Sequence, residues 1–141
     1  MNIDLEHIRN HFKNDRFATE NGIVIDSVTE DCVVCGMELN EGHRNSVGGV
    51  QGGAIFTLAD LAFAVHCNLA MLCGEGAGVT VGQSCSISFL RSTKGYRLTA
   101  KSTCLTKGRN ISVYRICVED NLGVPIAEML ANGYTINKSP S

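Results

Sequence analysis

Residues 45–72 read NSVGGVQGGAIFTLADLAFAVHCNLAML, and one acid, Asp60, stands alone in the apolar run that follows Gly53. A carboxylate inside a buried helix is costly unless it is paired or used. Used, it can serve as general base toward water or as nucleophile toward an electrophilic carbon. Burial raises its pKa, so donors must surround it if the ionised form is to act. Eight residues earlier, Gly52 and Gly53 open the same run. First-turn N–H groups have no intrahelical partner and sit at the favourable end of the helix dipole, and glycine lets a ligand come close. Such a group polarises a carbonyl. The bland alternatives are a buried Asp that caps a neighbouring loop and a glycine pair that only permits close packing.

The elements that must hold these residues follow from periodicity. Ile3, Leu5, Ile8 and Phe12 have near-helical spacing, which predicts a short amphipathic helix over 3–12. Asn21-Gly22 is a turn signal, and GIVIDSVTEDCVVCGMELN then gives two β-rich runs broken at Thr29-Glu30-Asp31, a hairpin. The loop EGHRNSVGGVQGG delivers the chain into a long helix that should stop near Cys73-Gly74. From Val79 the period changes to two. Turns at Lys94-Gly95, Lys107–Asn110 and Asn121–Gly123 separate four strands, read as a meander. One long helix against about six mostly antiparallel strands is an α+β layer arrangement. A helix apolar on nearly every face needs cover on several sides, from a curved sheet or a second subunit. An oligomer is expected on that ground alone.

Composition narrows the class. In 141 residues, 18% are charged and 44% hydrophobic, so one domain over 1–141 with a substantial core is expected, its main body spanning about 20–136. The net charge of −2 gives no general attraction to nucleic acid or an anionic membrane. Gly52, Gly53, Asp60, His66 and Asn68 interrupt the apolar run, which argues against a membrane span. The polar N-terminus reads as a cytoplasmic start. Seven cysteines without a secretory signal point to reduced thiols. Cys32 and Cys35 form a lone CxxC on a strand-like run, better read as small core residues than as zinc ligands; no metal site is expected.

The pattern Asn45-x-x-Gly48-x-x-Gln51-Gly52-Gly53, followed by Leu58-Ala59-Asp60, resembles the hotdog-fold acyl-CoA thioesterases of the phenylacetate-pathway (PaaI-like) group. Phe89-Leu90-Arg91 with Gly95, Lys107-Gly108-Arg109, and Asp120-x-x-Gly123-x-x-Ile126-Ala127 extend the match over roughly residues 20–136. Gln51 stands where the family usually has histidine, a residue regarded as supporting the loop. Gln replaces several of its hydrogen bonds but carries no proton near neutral pH.

The resemblance implies a hotdog fold in which a sheet wraps the central helix, and hydrolysis of a thioester with coenzyme A carried by the substrate and no separate cofactor. It implies that the Gly52 N–H binds the thioester oxygen, that Asp60 acts as base or nucleophile, and that Asn45 orients water or carbonyl. The lesser alternative for Asn45 is a loop-stabilising Asx turn. A hydroxyl early in the next strand assists the acid in the family; Thr80 and Ser84, flanking Gly82, both qualify, with Thr80 preferred. Gln51, Gly53 and Gly82 are further substrate-contacting candidates. For the phosphates, Arg91, Ser92 and Lys94 sit at one strand exit and Lys107, Gly108, Arg109 and Asn110 in the next turn, at opposite ends of one strand. Ordinary solvated turn charge is the alternative for the lysines. His66 reads as a core or interface histidine; His43 is a candidate stand-in for the missing motif histidine.

Distance links activity to assembly. Gly52 and Asp60 lie about 12 Å apart on a helix that rises about 1.5 Å per residue. Reacting atoms must come within about 3–3.5 Å of one another. Both groups can act on one thioester only if they come from different chains, most simply two antiparallel helices about a two-fold axis. A homodimer is therefore expected, and a homotetramer by the resemblance. The acyl group is expected to be aromatic or medium-chain. A non-catalytic acyl-CoA-binding module and a hotdog dehydratase are the competing readings.

Overall fold

The computed structural model of the chain describes residues 1–136. Two short helices come first. α1 (Leu5–Phe12) starts where the Asp4 carboxylate accepts the His7 N–H, and it buries Ile8. α2 (Arg16–Glu20), capped by Asp15, has no counterpart in the sequence reading, because five residues are too few for a period to register. β1 (Ile23–Val28) and β2 (Val33–Glu38) form the expected hairpin. A 3-10 turn at Glu41–His43 then leads toward α3 (Gly52–Cys67) and the one-turn α4 (Leu69–Leu72). β3 (Thr80–Phe89), β4 (Arg97–Lys107), β5 (Ile111–Asp120) and β6 (Pro125–Thr135) complete the fold.

The long helix stops earlier than its apolar composition suggested. Asn68 breaks it, and the side chain is fully engaged: its amide donates to Ala64 O (2.9 Å) and Thr80 O (3.0 Å), while its oxygen accepts the Thr80 N–H (2.8 Å). A single amide thus ends α3 and fixes the start of β3.

All six strands form one antiparallel sheet in the order β1-β2-β4-β5-β6-β3. The expected four-strand meander is therefore a three-strand one, β4-β5-β6. β3 pairs with the far side of β6, from Thr80 opposite Thr135 to Phe89 opposite Ala127, and residues 90–96 cross the ends of β6 and β5 to reach β4. Alternation tells which face of a strand is buried, not which strand it pairs with.

α3 lies on one face of this sheet. Leu58, Ala59, Ala62 and Val65 are fully enclosed, with Val33, Cys35 and Met37 of β2, Leu98 and Ala100 of β4, Ile116 of β5, and Met129 and Ala131 of β6 in the same buried core. Each large aliphatic side chain so enclosed contributes roughly 1.5–3 kcal/mol. The Phe63 ring meets Tyr114 edge-on at 5.6 Å. Two regions are left uncovered. Along α3, Gly53, Phe56, Thr57, Asp60 and Ala64 are exposed or half-buried; along β3, every residue after Thr80 is exposed except the half-buried Ile87. Among the described residues, no helix is long and apolar enough to cross a membrane.

Candidate active site

The start of α3 is an open set of donors. Gln51 is the N-cap, with φ −62° and ψ 130°, and its side chain makes no capping hydrogen bond. Its own N–H is held by His43 O (2.7 Å), but no described group accepts the Gly52 or Gly53 N–H. The two glycines differ in what surrounds them. A Cβ on Gly52 would lie 3.2 Å from Phe89 Cζ, so close packing alone accounts for glycine there. A Cβ on Gly53 would meet only the flexible Gln51 side chain, at 3.9 Å, so packing does not account for Gly53. Phe89 was legible in the sequence only as part of a matching motif; its ring against Gly52 is a contact between distant parts of the chain.

Gly52 lines a cavity of about 550 Å³ together with Asn45, Ile55, Phe89, Arg91 and Ser92, among others. Asn45 makes the loop contacts of an Asx turn. Its side-chain oxygen accepts the Val47 and Gly49 N–H groups (3.0 Å each), an Asx turn that shapes the loop. Its NH2 group has no described partner and is left as a donor.

Asp60 lies two turns into α3, half-buried, with no hydrogen-bond partner among the described residues. Desolvation pushes its carboxyl pKa up, and the Asp15 charge pushes it further. The donors needed to keep it ionised are thus not supplied by its own chain. Burial also raises the Cys67 thiol to about 12 and that of Cys85 above its usual value, with Asp60 adding to both shifts, so these two thiols share its surroundings.

The other candidates separate into two groups. Arg91 and Ser92 belong to the Gly52 cavity, while Lys94 is exposed outside it. Lys107, Gly108 and Arg109 line a second cavity of about 390 Å³ with Cys67, Gly76–Gly78 and Thr80 at the opposite end of α3. Asn110 is not among its lining residues; it pairs with Thr135 through Nδ2 (3.0 Å) and its carbonyl (2.7 Å). Thr80 is buried, and its hydroxyl bonds that of Thr135 (2.8 Å). Gly82 packs on Phe63, at 3.6 Å from its notional Cβ, so it faces α3. A bulge between Gly82 and Ser84 puts Ser84 opposite Asn132, next to the inward-facing Ala131, and so on the face away from α3. A third hollow, between α1, α2 and β1, is lined by Arg9, Phe12 and Ile25 among others and holds none of the candidates.

The histidines have structural work. His43 is buried; Nδ1 accepts the Asn40 N–H (3.1 Å) and Nε2 donates to Asn21 O (2.8 Å), so the ring has no nitrogen left for a base. With both ring nitrogens engaged, the His43 side chain cannot stand in for the missing motif histidine at the start of α3. It still holds up the loop, because its carbonyl fixes Gln51. His66 is a core histidine, as expected: Nε2 donates to Glu30 O (2.8 Å), Nδ1 accepts from Ser102 Oγ (3.0 Å), and burial lowers its pKa. Cys35 is fully buried and Cys32 half-exposed. No group of three or more His, Cys, Asp or Glu among the described residues could hold a metal.

Comparison with known proteins fits this arrangement. The sequence model of the thioesterase superfamily matches residues 48–125, from the loop before α3 to the start of β6. The chain is similar to the acyl-coenzyme A thioesterase PaaI of Escherichia coli (strain K12), 35% identical over 106 residues, covering 74% of this chain and 71% of that protein. Among solved structures, the E. coli PaaI protein from the phenylacetic acid degradation operon superposes with a TM-score of 0.81 at 28% identity, covering 98% of this chain and all of the other. A thioesterase of Haemophilus influenzae superposes at 0.85 with 23% identity, over 97% and 93% of the two chains, which speaks for the fold. The six-stranded antiparallel sheet with α3 at its centre is the hotdog fold, and this chain belongs to the thioesterase superfamily.

Proposed function

We propose that the protein hydrolyses acyl-CoA thioesters at a site completed by two copies of the chain. The observation that carries this reading is the unpartnered N–H at Gly52, opening into a cavity, with a half-buried carboxylate eight residues along the same helix. The 35% identity to a protein named acyl-coenzyme A thioesterase supports the substrate class. In this reading the thioester oxygen accepts the Gly52 N–H, a donor whose loss costs about 3–4 kcal/mol of transition-state stabilisation in comparable oxyanion sites. Asp60 of the partner subunit either takes the proton of an attacking water and passes it to the departing thiolate, or attacks the carbonyl carbon itself to give a mixed anhydride that water then hydrolyses, its proton going to the thiolate. The C–S bond breaks and coenzyme A leaves as its thiol. Asn45 supplies its free NH2 to the water or carbonyl; Thr80, tied to Asn68 and Thr135 at the far end of α3, makes no contact with the Asp60 of its own chain. The anionic end of the substrate is held by Arg91 and Ser92, or by Lys107, Gly108 and Arg109 across the interface. The chemistry calls for no cofactor beyond the coenzyme A of the substrate.

Three features support the dimer. Gly52 and Asp60, about 12 Å apart along one helix, can meet on one thioester only across two chains, β3 offers a long unpaired edge, and the Asp60 stripe of α3 lies uncovered beside it. A tetramer is supported by the outer face of the sheet, where Val81, Tyr134 and Ile111 form one exposed cross-strand row with Leu130 nearby. The apolar lining from Ile55, Phe89, Leu90 and Ile126 suits an aromatic or medium-chain acyl group. Hydrolysis of an acyl-CoA panel by wild type and Asp60→Asn tests the proposal. Turnover in the wild type that is lost in the variant is expected. Binding without turnover in the wild type would make the protein a carrier, and unchanged turnover in the variant would remove Asp60 from the reaction.

A further inference from the structure

The segment that crosses from β3 to β4 carries Arg91 and Ser92, and it has few attachments of its own. The Leu90 and Arg91 N–H groups reach Ile126 O (2.8 and 3.4 Å). Beyond them, the backbones of Ser92, Thr93 and Lys94 make no hydrogen bond to any described residue. The next attachment is a side chain. Thr93 Oγ1 donates to Asp120 Oδ2 (2.6 Å) and accepts the Gly95 N–H (2.8 Å). Asp120 is 4% exposed and is itself fixed, since its Oδ1 accepts the Leu122 and Val124 N–H groups (2.9 Å each). Asn121 completes the anchorage by accepting the Tyr96 and Arg97 N–H groups (2.7 and 3.0 Å). Gly95 must be glycine here, because a Cβ would strike the Asn121 side chain. The turn between β5 and β6 thus grips the crossing segment at the point where it passes over, beside the Gly52 cavity.

We propose that the Thr93–Asp120 hydrogen bond is a latch that holds residues 91–94 in the shape that binds ligand. Asp120, which lines none of the cavities, is then a positioning residue for the anionic coenzyme A end. The inference rests on the reading above that Arg91 and Ser92 meet the substrate. Its physical basis is that an unlatched loop must be ordered again each time a ligand binds, which weakens binding without touching the reacting groups. Hydrogen bonds to a buried carboxylate are also the stronger kind.

Three variants test it: Thr93→Val, Asp120→Asn, and Thr93→Ser, which keeps the hydroxyl. KM for an acyl-CoA and the Kd for free coenzyme A by calorimetry are measured with Tm. The latch predicts that Thr93→Val raises both KM and Kd about tenfold while kcat stays within about twofold, that Asp120→Asn shifts them the same way but less, and that Thr93→Ser restores the wild-type KM. A Thr93→Val protein with lowered Tm but unchanged KM and Kd overturns the proposal, and so does a fall in kcat alone. If the wild type binds coenzyme A without hydrolysing any acyl-CoA, the hydrolase reading fails and the latch is judged on Kd. A wild type that binds no coenzyme A overturns both.

Discussion

β1 and β3 are the two edges of one sheet, and the chain finishes them in opposite ways. β1 is six residues long and bulged between Ile25 and Ser27. α1 and α2 pack beside it, and the Arg9 guanidinium donates to Ile25 O through Nε and Nη2 (3.0 and 2.9 Å). Its acid, Asp26, is paired with Arg97 at 3.0 Å. β3 is ten residues long, carries no charge and no proline, and among the described residues pairs with no strand on its free edge. Natural sheets protect edges with bulges, charges or cover; both edge strands are bulged, but β1 adds charge and cover that β3 lacks. One edge is closed by its own chain; the other is left open among the described residues, which is the edge the proposed dimer would use. Asp60 belongs to the same unfinished side, since its charge reaches Cys85 of β3.

Charging the open edge should have the largest effect. Ser84→Lys with Ser86→Lys adds two cations to the outer face of β3 without touching the core. The expected result is a folded monomer by light scattering, with hydrolysis reduced at least about a thousandfold because each site loses one of its halves. A dimer with full activity would contradict it. Next, Asp60→Asn should lower kcat by about 10²–10⁴ with the dimer intact.

The pH dependence follows from the direction of the Asp60 shift. Its carboxyl titrates above the usual 3.8 in the folded chain, burial being the main cause. The native state therefore holds that proton more tightly than the unfolded chain. The associated stability is present below 3.8 and is lost as pH rises through the folded value. Asp60→Asn should accordingly raise Tm at neutral pH, while wild-type kcat/KM rises with pH across the same window. A lower Tm in the variant would mean that the carboxylate is paired and stabilising. The smallest effect belongs to the closed edge: Arg9→Ala should cost about 1 kcal/mol in urea unfolding and leave dimer and turnover as they were. An Arg9→Ala protein that associates further would show that β1 is closed by that side chain alone.

What was legible in the sequence was local. The Gly52-Gly53 pair, the lone acid at Asp60, the turns and the alternating runs of β4, β5 and β6 each announce themselves within a few residues. What was hidden depends on partners far along the chain. Whether β3 pairs with β4 or β6, which of Thr80 and Ser84 faces α3, and the break at Asn68 follow from a bulge and an amide whose contacts span 12 residues or more. The split of the expected cations was legible too: β4 separates Arg91 and Ser92 from Lys107 and Arg109 by its whole length, as the turns at opposite ends of one strand implied. The Phe89 contact with Gly52 and the Thr93–Asp120 pair leave no local mark.

The central claim is that Gly52 and Asp60 of different chains share one thioester, and subunit mixing tests it. Asp60→Asn removes the carboxylate. Gly52→Pro removes the N–H at the first helical position, after a Gln51 already in the extended conformation that precedes proline, and its ring requires the exposed Phe89 side chain to move aside. Each variant alone should be nearly inactive. Equal amounts, unfolded and refolded together, give mixed dimers in half of the population, each with one intact site of two. Recovery of about one quarter of wild-type activity is predicted for such a two-fold assembly. No recovery, with mixed dimers shown to have formed, would contradict the shared site.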